Sequence, residues 1–416
     1  MLIKRQLVEK ILPYLEEKEI IAVHGARQVG KTSLLEYLIE HHLPQMAPPA
    51  NIFYFDLEDF ILLDICNKGA DETVKYLKAK GADFSRRIFL LIDEVQYLDN
   101  PSSLLKLMND RYAPGVKVIV SGSSSFDIKR KFKDSLAGRI IDFELFTLDF
   151  KEFLEFKGAH YNLETASAAS AELKPLYEEY VLFGGYPAIV LSDSIDKKET
   201  KLKQIISAYV KKDIKDIASI RNISKFNALL QMLAAQSGGV MSIVELSNSL
   251  GLSKQTVQEY LFILESTYII KTVRPFHKNI RTELTKMPKI FFEDTGMLNL
   301  LVNKMFSRVI SGQLFENSVF SQLRRNMPVS DIYFWRMVKG REIDFILYFP
   351  AADAYVPVEA KMLCLDKYFD QIEYFGKEYK SPAGYICCFD ARTNDKRAVF
   401  PWELYPIISA YNKRKS

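Results

Sequence analysis

The stretch Gly25-Ala26-Arg27-Gln28-Val29-Gly30-Lys31-Thr32 decides how this chain is read. It fits G-x-x-x-x-G-K-[ST], in which glycines let backbone N–H groups close around phosphates. The apolar run Ile20–His24 precedes it and a helical pattern, Ser33–His42, follows it. That strand–loop–helix setting is what the motif requires, because the helix N-terminus adds a positive dipole end. The expectation is an ATP site on Gly25, Ala26, Arg27, Gln28, Val29, Gly30, Lys31 and Thr32, with Ser33 behind them. Lys31 should reach the β- and γ-phosphates, and the Thr32 hydroxyl should ligate Mg²⁺.

About 60 residues further on, the run Ile88–Ile92 ends in Asp93-Glu94. A carboxylate at the end of a buried strand suits the Mg²⁺ shell, which is the role expected of Asp93. Glu94, beside the metal, suits polarisation of an attacking water, since it can accept the proton. A further run, Lys117–Val120, ends in Ser121-Gly122-Ser123-Ser124. Ser121 can sense the γ-phosphate there, or serve as ordinary turn chemistry. Arg139, after Gly138, has two readings: a positive charge offered to a neighbouring subunit's nucleotide, which implies a homo-oligomer, or a solvated side chain.

The runs Ile20–His24, Ile52–Leu57, Ile88–Ile92, Val116–Val120 and Ile140–Glu144 alternate with helical patterns. Such alternation predicts an α/β parallel sheet over residues 1–150. The chain has 416 residues, enough for several domains, and 48% hydrophobic against 26% charged residues, the balance of a soluble globular protein. A net charge of +4 names no partner. The four cysteines show no C-x-x-C pair, which fits reduced thiols in a cytoplasmic protein. The charged N-terminus has no apolar signal core, and no run approaches the ~20 apolar residues of a membrane span.

Together these features resemble the AAA+ branch of P-loop ATPases. More narrowly, they are similar to a prokaryotic family that fuses such an ATPase to a C-terminal domain of unknown function. The stretches that carry this closer likeness are GARQVGKT at 25–32, FYFDLED at 53–59, LLIDEVQ at 90–96, SGSSS at 121–125, LAGR at 136–139, FGGYPA at 183–188, FFEDTG at 291–296, FEN at 315–317 and REID at 341–344.

Beyond the P-loop core, residues 151–225 read as a helical lid or linker, with 3–4 spacing in Lys174–Phe183 and Lys203–Ile217. Residues 226–300 read as a winged helix-turn-helix. Ile243–Leu250 is a short helix, Gly251-Leu252-Ser253 a turn with Ser253 as N-cap, Lys254–Leu264 a second helix and Tyr268–Val273 a strand. Lys254, Gln255, Gln258 and Glu259 should face outward. Lys271, Arg274, Lys278, Arg281, Lys286 and Lys289, against Glu283 alone, form a basic wing able to pair with phosphates of DNA. Such units often serve instead as protein–protein modules or as the lid after an ATPase core, and Glu259 argues against strong major-groove binding.

Residues 301–416 contain Glu342–Tyr348 and Val356–Lys361 on either side of a turn near Ala351. The period of two places Glu359 and Lys361 on one face, and a symmetric hairpin sets Asp344 opposite Glu359. Glu316, on the helical pattern Phe315–Leu323, adds a fourth group. This set is similar to the PD-(D/E)xK nuclease core, whose acids hold Mg²⁺ and whose lysine assists the attacking water; hard carboxylates suit that ion. Three functions follow as alternatives: an ATPase that acts on a nucleic-acid or protein partner through its C-terminal half, an ATP-gated nuclease for DNA or RNA, or a nucleotide-sensing interaction protein with slow turnover.

Overall fold

In the N-terminal half, five short runs rich in Ile, Val and Leu pair into one sheet. They are β1 (Ile20–His24), β2 (Ile52–Asp56), β3 (Ile88–Asp93), β4 (Val116–Gly122) and β5 (Ile140–Glu144). The computed structural model describes residues 2–122, 136–209, 222–276, 287–303, 305–337, 340–391 and 393–412. The order is β2-β3-β4-β1-β5, and every neighbouring pair is parallel. Central strands of a parallel sheet are covered on both faces and so read as unbroken apolar runs. β3 and β4 are buried along their whole length. One face packs Phe55, Leu90, Ile92 and Val118 against Leu77, Leu104 and Leu105 of flanking helices. The helix Lys31–His41 buries Leu34, Leu35 and Leu38. The expected α/β parallel sheet is therefore present, strand for strand.

The chain divides into two compact units, Met1–Phe146 and Thr147–Ser416. The second is built around a seven-stranded sheet in the order β12-β11-β10-β9-β8-β6-β7. Its strands are β6 (Ile270–Pro275), β7 (Lys289–Phe292), β8 (Ile332–Arg336), β9 (Glu342–Phe349), β10 (Ala354–Cys364), β11 (Tyr385–Ala391) and β12 (Ala398–Val399). β6 and β7 are antiparallel, and β6 joins β8 in parallel. The stretches read as a separate 226–300 module and a 301–416 domain thus share one sheet. β9 and β10 form the expected hairpin, with Phe345 opposite Val358. The helices Ile243–Leu250 and Lys254–Ser266 flank a turn in which Gly251 takes φ +57° and Ser253 accepts a hydrogen bond from Thr256 N–H. Val257, Tyr260, Leu261 and Leu264 are buried, while Lys254, Gln255, Gln258 and Glu259 face solvent.

Several expectations lie outside the described residues: Ser123 and Ser124, the end of the Lys203–Ile217 pattern, and Lys278, Arg281, Glu283 and Lys286 of the basic wing. All four cysteines are buried and free. Among the described residues, no helix is long and apolar enough to cross a membrane.

Candidate functional site

The loop after β1 is shaped by close backbone approach. A Cβ on Gly25 would lie 2.0 Å from the Leu145 carbonyl oxygen, so only glycine fits there. Gln28 and Gly30 take φ +61° and +97°, the left-handed region that turns successive N–H groups inward. Gly30 then starts the helix Lys31–His41. The Lys31 ammonium donates to the carbonyls of Gly25 and Ala26 at 3.0 and 2.9 Å, and so lies within the loop it closes.

Asp93 ends β3 at 2% exposure. Its Oδ2 accepts from the Thr32 hydroxyl at 2.6 Å and from the Tyr54 hydroxyl at 3.0 Å. Its Oδ1 accepts from the Ser121 hydroxyl and from Glu94 N–H. β4 lies between β1 and β3, which is what delivers Ser121 to this carboxylate. Burial, followed by the charge and hydrogen bond of Asp93, pushes the Tyr54 hydroxyl far above the usual phenol range, so it stays a donor. Thr32 and Asp93 are oxygen donors in contact at the mouth of the loop, a pairing that fits an Mg²⁺ shell. Glu94 sits next to them with φ +56°, and its carboxylate accepts from the Gln96 amide.

Arg139 is elsewhere. It lies just before β5, where its carbonyl accepts from Ile20 N–H at the start of β1, and its guanidinium pairs with Asp110 at 2.5 Å. The loop leaves the other end of β1, about 15 Å away at strand rise. Arg139 therefore does not meet its own chain's loop.

Arg5 carries no signal in the sequence. It is buried, and donates to the Val29 carbonyl inside the loop at 2.6 Å and to Phe146 carbonyl at 2.9 Å. Nothing local marks it, because its partners are 24 and 141 residues away.

In the second unit, Asp344, Glu359, Lys361 and Glu316 do come together. Lys361 Nζ lies 2.5 Å from Glu359 and 3.3 Å from Asp344, and Asp344 N–H donates to Glu359 at 3.1 Å. Another residue joins them. Lys289, read in the sequence as part of an exposed basic wing, is 2% exposed and points inward from β7. Its ammonium lies 2.7 Å from Glu342, 3.2 Å from Glu316 and 3.5 Å from Asp344. Burial works against its charge, but those three carboxylates hold it above the usual lysine range. Desolvation, then the Asp344 charge, pushes the Glu316 carboxyl up to about 8 and that of Glu359 up to about 7. Among the described residues, no three His, Cys, Asp or Glu side chains converge as a metal-ligand set.

The FGGYPA and FFEDTG stretches also meet. Asp294 accepts from Gly185 N–H at 2.8 Å and from Met297 N–H at 3.0 Å. Gly184, at φ +78°, lies so near that a Cβ would stand 2.2 Å from the carboxylate. These motifs form a packed joint rather than a site.

Comparison with known proteins gives three family matches. Residues 174–307 and 311–405 match two domains of unknown function (DUF8612 and DUF4143). An uncharacterized protein of Methanocaldococcus jannaschii is 29% identical over 83% of this chain and 75% of its own length. One from Haemophilus influenzae is 24% identical over 91% and 96%. Cdc6p from Pyrobaculum aerophilum aligns at TM-score 0.31 and 14% identity, over 72% of this chain and 91% of its own. AMPPCP-bound DnaA from Aquifex aeolicus aligns at 0.27 and 18%, over 62% and 86%. The third family match, an AAA domain over residues 17–154, coincides with the parallel sheet and its glycine loop. This chain therefore carries an AAA-type P-loop nucleotide-binding domain.

Proposed function

We propose that the chain binds ATP with Mg²⁺ on residues Gly25 to Ser33 and hydrolyses it, and that turnover acts on a nucleic-acid or protein partner through the Thr147–Ser416 unit. The observation that carries this reading is the contact of Thr32, Asp93 and Ser121 at one point beside the loop. Bound there, Mg²⁺ would neutralise charge on the β- and γ-phosphates. Thr32 and Asp93 would hold it. Lys31 would exchange the loop carbonyls for phosphate oxygens. Glu94 would take a proton from the attacking water, and Ser121 would report the γ-phosphate to Asp93. Arg139 would serve the loop of a second copy.

The helix–turn–helix at Ile243–Ser266, followed by the β6–β7 pair, supports a winged-helix reading of the partner module. Half-buried Lys271 and exposed Arg274 remain on its surface as phosphate contacts, whereas Lys289 does not.

Nucleotide binding and steady-state turnover test the reading. Lys31→Ala is expected to lose ATP affinity, because a cation leaves a desolvated loop. Glu94→Gln is expected to keep ATP bound and slow turnover by on the order of 10²-fold or more. Tight ATP binding by Lys31→Ala overturns the site, and an unchanged Glu94→Gln rate moves the base elsewhere. A rise in turnover on adding duplex DNA identifies the partner class.

The slow-turnover alternative has one observation in its favour. The Gln96 amide holds the Glu94 carboxylate and competes with water for it. In that reading Gln96→Ala raises turnover; in the first reading it does not.

A further inference from the structure

We infer that the C-terminal carboxylate cluster is closed by cations of its own: the Lys289 ammonium, delivered by β7, stands against Asp344 and Glu316, and Lys361 against Asp344 and Glu359, so the acids that a PD-(D/E)xK nuclease would use for Mg²⁺ are already neutralised and this unit is a metal-free module that does not cleave phosphodiester bonds.

An ammonium has three N–H groups. Lys289 faces three carboxylates, those of Glu342, Glu316 and Asp344, at 2.7, 3.2 and 3.5 Å. A divalent ion needs six or more oxygens at 2.0–2.6 Å. It would have to take the same oxygens, within a few ångströms of a positive charge that burial cannot screen.

The oxygens of Asp344 and Glu359 are already used. Asp344 Oδ1 faces Lys289, and Oδ2 accepts from Ala360 N–H at 3.0 Å and from Lys361 at 3.3 Å. Glu359 Oε1 faces Lys361 at 2.5 Å and accepts from Gln371 at 3.4 Å, while Oε2 accepts from Asp344 N–H at 3.1 Å. All four oxygens of the two expected metal ligands therefore accept from protein donors.

The cluster is also covered. The chain after the helix Ile223–Ala235 runs over Glu316, and a Cβ on Gly238 would stand 2.8 Å from its carboxylate. Gly238 N–H donates to the Ile290 carbonyl at 2.7 Å, which ties this cover to the strand that bears Lys289. Gln313 donates to the carbonyls of Ala234, Ala235 and Ser237 and holds the cover from the other side.

A nuclease needs the opposite arrangement, with an open cation and a lysine free to aid water. Here both lysines are spent on charge balance. The groups that face Lys289 come from every element around it: Glu316 from the helix Gly312–Asn326, Glu342 and Asp344 from β9, with Arg336 of β8 on the far side of Glu342 at 3.6 Å and Lys361 of β10 beyond Asp344.

Three measurements on the full chain decide it. Free Mn²⁺ is followed by its paramagnetic resonance signal as nucleotide-free protein is added. No uptake is expected at concentrations that saturate the nucleotide-loaded protein. Single- and double-stranded DNA and RNA are incubated with the chain in Mg²⁺ and in Mn²⁺, with and without ATP, and no cutting is expected. Thermal midpoints are then compared. Lys289→Met should lose on the order of 10 °C, since removing one partner strands buried carboxylates. Adding Glu316→Gln to it should restore part of that loss, as should lowering the pH from 8 to 5. Saturable Mn²⁺ uptake by the native chain that Asp344→Asn abolishes overturns the inference. So does cleavage that Glu359→Gln abolishes. A Lys289→Met loss that neither Glu316→Gln nor low pH relieves also overturns it, because it would make Lys289 a packing residue. If Lys289→Met does not fold, the native-chain metal and cleavage results still decide. None of these readouts involves nucleotide turnover, so failure here is distinct from failure of the ATPase reading.

Discussion

At the scale of single residues, the glycine loop is held from outside as much as by its own sequence. Arg5 reaches from the N-terminal segment to the Val29 carbonyl at 2.6 Å. Replacing it with Met would remove the guanidinium donors to that carbonyl and to the one of Phe146. Such a loss costs about 1–3 kcal/mol. Arg5→Met is therefore expected to lower the denaturant midpoint and to weaken nucleotide binding as the loop loosens, checked by urea unfolding and nucleotide titration. Glu316 shows the same principle with a proton. Its carboxyl is pushed up to about 8 and that of Glu359 up to about 7, from 4.5. Between about pH 4.5 and 8 the folded chain holds protons that the unfolded chain has released. Stability from this cluster is therefore greatest at the acid end and falls as the pH rises through that window. Lys117 acts oppositely, and only higher. Burial pushes it down to about 8, so the folded chain holds fewer protons above that pH and gains stability. The difference in unfolding free energy between the native chain and Glu316→Gln, measured from pH 5 to 8, isolates the cluster. The native chain should lose relative stability as pH rises.

At the scale of elements, the joint between the helix Ser170–Phe183 and the helix Thr295–Asn303 explains two motifs that read in the sequence as family markers. Asp294 accepts at the start of the second helix and from Gly185 just past the first. Burial pushes its carboxyl up, and the two N–H groups oppose that shift. Asp294→Ala removes an N-cap and a loop acceptor together. The expected cost is about 1–3 kcal/mol by chemical denaturation, with nucleotide binding by the first unit retained. Gly184→Ala should fold less well still, since its Cβ would stand 2.2 Å from that carboxylate.

At the scale of the whole molecule, Arg139 sets the expectation for assembly. It sits at the opposite end of β1 from the loop and is held by Asp110. If it serves a second copy, turnover per chain should rise with protein concentration. Arg139→Ala should remove that rise, and Asp110→Asn should leave it. A rate independent of concentration removes the trans role. Light scattering alongside the kinetics distinguishes lost assembly from lost catalysis.

The sequence by itself was enough for the parallel sheet, the glycine loop and the Asp93 partner, because each rests on local periodicity or on a motif whose geometry is made by consecutive backbone groups. The β9–β10 hairpin was legible for the same reason: strand alternation and a turn near Ala351 place Asp344 against Glu359. What the sequence could not reveal were contacts without local signature. Arg5 bonds across 24 and 141 residues, and β4 must be inserted between β1 and β3 before Ser121 meets Asp93. Lys289 is the sharpest case. In a run of basic residues its charge reads as surface, and only the antiparallel pairing of β7 with β6 turns it inward onto three acids. Local chemistry names which groups a chain owns, whereas burial and long-range pairing decide which charge each group must balance.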